Sequence, residues 1–79
     1  MSRIAEKITV DPDICHGKPT IGGSRLMVSA ILELLAGGMT YDELLKDYEG
    51  LDLEDIYACL EYANHMSNFK TVHLKPKAA

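Results

Sequence analysis

Apolar positions are densest between Val28 and Ala36, VSAILELLA, where seven of nine residues are apolar and the two polar ones, Ser29 and Glu33, stand four apart. That spacing puts both on one strip of a helix. A helix with so narrow a polar strip must be covered on several sides by other helices or by a second copy of the chain. Gly37-Gly38 closes it, because glycine takes the left-handed cap cheaply. Thr40 with Glu43 three residues on forms a capping box, and Met39 with Leu44 occupies the hydrophobic-staple positions. Tyr41, Leu44, Leu45 and Tyr48 recur at spacings of three and four, which predicts a second helix over Tyr41 to Tyr48. Glu49-Gly50-Leu51-Asp52 reads as a tight turn, with Asp52 as the next cap and Leu51 and Ile56 as a second staple. The third helix runs from Leu53 to about Met66. Its pattern turns Leu53, Ile56, Cys59, Leu60 and Ala63 inward, and Glu54, Ala58, Glu61 and His65 outward, flanked by Asp55 and Tyr62. Three helices, the last two joined by a short turn, have the layout of a helix-turn-helix core.

The pattern changes at both ends. Ile4, Ile8 and Val10 fall on one side of a period-two repeat that Pro12 stops, which predicts a short strand over Lys7 to Val10. Asp11 to Arg25, DPDICHGKPTIGGSR, is an ordered loop rich in Gly and Pro, extended at Pro19 to Ile21, with Gly22 and Gly23 at positive φ and Ser24 capping the central helix. In the tail, Phe69, Thr71 and His73 alternate with Lys70, Val72 and Leu74, so a strand over Thr71 to Leu74 is expected, its edge available to the N-terminal strand of the same or a second copy. The expected fold is mainly α: a homeodomain-like three-helix core over residues 28–66, with an arm and loop over 1–27, a tail over 67–79, and short β-strands near the N- and C-termini. One domain of 79 residues has a small core that a dimer would help. The two later helices leave the side of the central helix near Val28, Leu32 and Leu35 bare, which marks these three residues as dimer-interface candidates.

Composition narrows the function. At 47% hydrophobic and 25% charged residues the chain is an ordinary globular one, without the apolar run a membrane span needs or the apolar block of a signal peptide, and its place is the cytoplasm. Cys15 and Cys59 read as reduced, small apolar side chains, and no close pair of Cys or His has metal-ligand spacing, so neither metal nor cofactor is expected. Nucleophile, base and orienting group occur in no recognisable order, and the chain is not read as an enzyme. Charge is uneven. Residues 1–25 carry Arg3, Lys7, Lys18 and Arg25 against three carboxylates, residues 33–61 carry nine carboxylates against Lys46 alone, and the tail adds Lys70, Lys75 and Lys77.

That distribution sets the helix-turn-helix layout against its usual use. The outward face of the third helix would enter a DNA groove, yet it presents Glu54, Asp55 and Glu61 and carries no Arg or Lys, so it should repel duplex. If DNA is bound, Arg3, Lys7, Arg25, Lys70, Lys75 and Lys77 must carry it, doubled in a dimer. Binding to a protein fits the charge better: Glu54 and Glu61 on the acidic face, and Phe69, Val72 and Leu74 in the tail, are the candidate contacts. A third reading takes the GKPTIGGSR loop as an anion site, although it matches neither GxGxxG nor GxxxxGK[ST].

With these residues the chain resembles the DUF433 family, from about Ile8 to Ala63. The marks are P-x-I-C-x-G-K-P-x-I at Pro12 to Ile21, GGSR ahead of the central helix, the Gly38-Met39-Thr40 junction, and L-x-x-E-D-I-x-A-x-L at Leu51 to Leu60. Ser24 stands where the family usually has Thr, Met27 where it often has Pro, and Glu49 where Pro follows the tyrosine. The resemblance implies a homeodomain-like three-helix fold and the role of an antitoxin in a bacterial toxin–antitoxin pair, neutralising a PIN-like ribonuclease toxin by direct binding. It carries no catalytic residues. The alternative is a dimeric helix-turn-helix regulator acting on its own operator DNA.

Overall fold

The computed structural model describes the backbone of residues 3–69 and the side chains of residues 4–68. In order these form α1 (Arg3–Lys7), β1 (Ile8–Thr9), a tight turn over Cys15–Gly17, β2 (Thr20–Ile21), α2 (Val28–Ala36), α3 (Tyr41–Asp47) and α4 (Leu53–Phe69). The protein is mainly α, with a small sheet ahead of a three-helix core made by α2, α3 and α4. The expected strand over Thr71 to Leu74 lies outside the described residues.

β2 is the middle ply of the N-terminal region. On one side it pairs antiparallel with β1, Ile8 opposite Ile21 and Thr9 opposite Thr20. On the other side the chain leading into α2 runs back along it: Thr20 bridges Met27, the Leu26 carbonyl accepts the Ile21 N–H at 2.9 Å, and the Pro19 carbonyl accepts the Val28 N–H at 3.0 Å. The reversal between these plies needs positive φ at both central residues, as hairpin turns of the primed type do, and Gly22 (φ 50°) and Gly23 (φ 76°) supply it while Ser24 N–H closes on the Ile21 carbonyl at 2.8 Å. Ser24 does not cap α2. Its Oγ accepts the Leu26 N–H at 3.1 Å, and the residue at the α2 cap position is Met27, which contributes no side-chain bond. The hairpin brings the Pro19 carbonyl to the first α2 amide, so a side-chain cap is not required there.

The N-terminal strand is shorter than expected. Residues 3–7 are helical and only Ile8–Thr9 pair, while Val10, expected on the buried side, is 62% exposed. Ile4 and Ile8 are four apart, a spacing that fits a helical face as well as a strand, and α1 uses the helical option to lie along α4.

The boundaries and caps of the core helices follow the sequence pattern, apart from the start of α2 and the end of α4. In α2, Val28 and Ile31 are buried, and Ser29, Glu33 and Ala36 form the exposed strip. The end of α2 is a Schellman motif: Met39 N–H reaches the Leu34 carbonyl at 3.1 Å and Gly38 N–H the Leu35 carbonyl at 3.0 Å, with Gly38 at φ 99°. The capping box of α3 is complete, Thr40 Oγ1 accepting Glu43 N–H at 3.2 Å and Glu43 Oε1 accepting Thr40 N–H at 2.9 Å. The Thr40 N–H also holds the Glu43 carboxyl below its ordinary pKa. α4 begins with the same device built from two aspartates: Asp52 Oδ1 accepts Asp55 N–H at 2.8 Å and Asp55 Oδ2 accepts Asp52 N–H at 3.0 Å. α4 then runs on to Phe69, a turn beyond the expected end.

The buried face of α4 is rotated from the one expected. Asp55, Ile56, Ala58 and Cys59 are buried, whereas Leu53 and Leu60, expected inside, are 39% and 37% exposed. Ala58 is fully buried one turn beyond Asp55, the residue that Lys7 of α1 reaches, and α1 packs along α4. Ile21, Val28, Ile31, Leu44, Ile56 and Cys59 form one contiguous core. Thr20, fully buried, satisfies its hydroxyl on the Thr9 carbonyl at 3.3 Å.

Candidate functional site

Rotation of α4 gives its outer side a character that alternation alone did not predict. Leu53, Tyr57 and Leu60 recur at spacings of four and three and make one apolar stripe along the helix. Tyr41 of α3 extends the stripe sideways, its ring meeting that of Tyr57 edge-on with centroids 6.2 Å apart and planes at 77°. Glu54 and Glu61, each one residue beyond a stripe leucine, flank it; Glu54 is exposed and Glu61 half-buried. No Lys or Arg occurs between Leu53 and Phe69. This surface, where a helix-turn-helix protein would place its DNA-reading side chains, is apolar and acidic. Both acidic candidates of the sequence therefore lie on it, and Leu53, Tyr57, Leu60 and Tyr41 are the members that periodicity missed. The signal for them was present in the i, i+4, i+7 spacing, but the same leucines also fitted an inward face.

The other candidates are scattered. Lys7 ends α1 with its ammonium 3.6 Å from Asp52 Oδ2 and 3.8 Å from Asp55 Oδ1, so its charge is engaged by two carboxylates. Asp55 is only 6% exposed, and this pairing with its capping bonds accounts for a buried carboxylate. The backbone N–H of Asp55, helped by Lys7, holds the Asp52 carboxyl below its usual pKa. Arg25 is exposed on the hairpin turn, and its carbonyl accepts the Cys15 thiol at 3.6 Å. Val28 is 1% exposed within its own chain's core, which leaves Leu32 and Leu35, both half-buried, as the accessible part of that side of α2. The side chains of Arg3 and Phe69, and the whole of Lys70, Val72, Leu74, Lys75 and Lys77, lie outside the described residues.

Two further features belong to the loop. Cys15 (φ 51°), His16 (φ 57°) and Gly17 (φ 80°) are consecutively left-handed, a conformation costly for the two residues with side chains. Below the Gly22-Gly23 turn, a groove of about 700 Å³ separates the hairpin from the turn between α3 and α4. Among the described residues no group of three or more His, Cys, Asp or Glu is placed to hold a metal ion, and no helix is long and apolar enough to cross a membrane.

Fold and surface together define a small helix-turn-helix-type domain whose third core helix carries an apolar, acidic outer face. The chain belongs to the DUF433 family, described as proteins of unknown function, whose model matches residues 8–63. It is similar to a DUF433 member protein from Anabaena variabilis ATCC 29413, known from a crystal structure at 2.00 Å resolution, with 30% sequence identity and a TM-score of 0.72. That match covers 75% of this chain and 58% of the other, so the present chain spans less than two thirds of its relative. No curated protein matches the chain.

Proposed function

We propose that this protein is the antitoxin of a bacterial toxin–antitoxin pair and neutralises a PIN-like ribonuclease in the cytoplasm by covering it with the outer face of α4. The observation that carries this reading is the apolar stripe of Leu53, Tyr57 and Leu60 flanked by Glu54 and Glu61, on a helix with no cation. A ribonuclease must present cations to RNA, and an acidic surface complements them and speeds the encounter. The leucines and tyrosines add the apolar burial that sustains a complex. The nuclease class comes from the family likeness. In this account Phe69, the last residue of α4, and Val72 and Leu74 after it extend the contact.

The double substitution Leu53→Arg with Leu60→Arg tests it. Both positions are exposed and arginine is a good helix former, so the fold should hold. On co-expression with a PIN-like ribonuclease toxin, the variant should fail to restore growth while the parent chain succeeds. Full rescue by a folded variant would remove this face from the mechanism. Truncation after Phe69, which leaves α4 whole, should weaken rescue if the tail takes part.

The succession of α3 and α4 favours a second reading, a dimeric regulator that binds its operator. Contact would then rest on basic residues away from α4, and the half-buried Leu32 and Leu35 would serve the dimer. A gel shift with a preferred palindrome and a steep loss with salt supports that reading; binding without sequence preference speaks against it. Leu32→Glu should lower the apparent mass in solution if α2 contributes to the dimer.

A further inference from the structure

The groove beside the hairpin has properties that the outer face of α4 does not share. Its floor is apolar, made by Ile21, Leu26 and Leu51, and its volume of about 700 Å³ lies in the range of ligand sites. Its charged lining is Glu6, Glu49, Asp52 and Asp55 against Lys7 and Arg25, an excess of two carboxylates. Lys7 is already shared between Asp52 and Asp55, so the excess is felt by whatever enters. The side chain of Asp52 is 59% exposed, and its carboxylate can take a further donor. Two lining residues are bare backbone: a Cβ built at Gly22 or Gly50 would meet nothing within 4 Å, which leaves room for another main chain to lie close.

We propose that this groove is a docking site for an extended basic segment of a partner protein, an Arg or Lys reaching Asp52 and Glu49 while its apolar neighbours lie on Ile21, Leu26 and Leu51. The cation is selected by the carboxylate excess, and the extended form by the two open glycines that line the groove. This site is distinct from the α4 face and stands whether or not the antitoxin reading holds.

The experiment pans a displayed library of random heptapeptides on the full chain and measures the affinity of the selected peptides. The expected set is rich in Arg or Lys beside apolar residues. A chain carrying Asp52→Asn and Glu49→Gln should bind these peptides at least about tenfold more weakly. Its melting temperature should fall only slightly, because asparagine still caps α4 and Lys7 keeps Asp55 when the exposed pair with Asp52 is lost. The Leu53→Arg, Leu60→Arg chain should bind them normally. Three results would overturn the proposal. One is selection of acidic peptides that depend on Arg25, which would make the groove an anion site. Another is loss of binding in the α4 variant, which would move the contact to that face. The third is the absence of any peptide whose binding depends on Asp52 and Glu49.

Discussion

Cys59 and Cys15 show how far burial separates two residues of one kind. Cys59 lies in the core beside Ile56, and burial, reinforced by the Asp55 carboxylate, pushes its thiol up to about 11. An unfolded thiol ionises near 9.0, so the native state holds its proton more tightly. The stability this contributes is complete below pH 9 and is lost as the pH rises through 11. At pH 8 a thiol reagent should therefore label the half-exposed Cys15 and reach Cys59 only on unfolding; rapid labelling of both would contradict the packing. His16 offers a second test. It stands at φ 57°, where glycine has no steric penalty, so His16→Gly should stabilise the fold by up to about 1 kcal/mol in a denaturant titration. The sequence announced an ordered loop here through Pro12, Gly17 and Pro19, but not a left-handed turn at Cys15 and His16. That conformation is imposed by the bonds of Gly17 N–H to the Ile14 carbonyl and Lys18 N–H to the Cys15 carbonyl, which composition does not reveal.

Among the elements, those with their own start and stop signals were legible and those made by docking were not. The Thr40 capping box, the Asp52 cap, the glycine end of α2 and the exposed strip of Ser29 and Glu33 follow from nearest neighbours in sequence, whereas the bond that Asp55 returns to Asp52 was not anticipated. Thr40→Ala should accordingly cost about 1 kcal/mol of stability. α1 has five residues, too few to hold a helix by propensity, and it forms because it can rest on α4. It adds cover to the side of α4 that carries Asp55, where Lys7 pairs, while Ala58 is buried and Leu60 is not. The contrast is measurable: Ala58→Leu should destabilise by about 2 kcal/mol through overpacking, while Leu60→Ala should change stability by less than about 0.5 kcal/mol. Equal effects at the two positions would return α4 to the orientation expected from its pattern. α1 also lies outside residues 8–63 matched by the family model, so its packing on α4 and the pairing of Lys7 with Asp52 and Asp55 extend the fold beyond that core.

At the scale of the whole molecule, the same layout that suits DNA reading carries the wrong charge for it, and this is the central fact about the chain. The sequence alone exposed the conflict, since nine carboxylates face Lys46 alone over residues 33–61. It could not say that the acidic residues border an apolar stripe, because that needed the rotation of α4. Together they give α4 an apolar outer stripe bordered by carboxylates, the surface on which the proposed contact with a basic protein rests. The most direct measurement is the equilibrium affinity of the purified chain for a PIN-like ribonuclease of the kind proposed, taken for the parent and for the Leu53→Arg, Leu60→Arg variant at low and moderate salt. The account predicts a complex that weakens as salt rises and a loss of about a hundredfold in the variant at unchanged melting temperature. A variant that binds within twofold of the parent, with the fold intact, would contradict it.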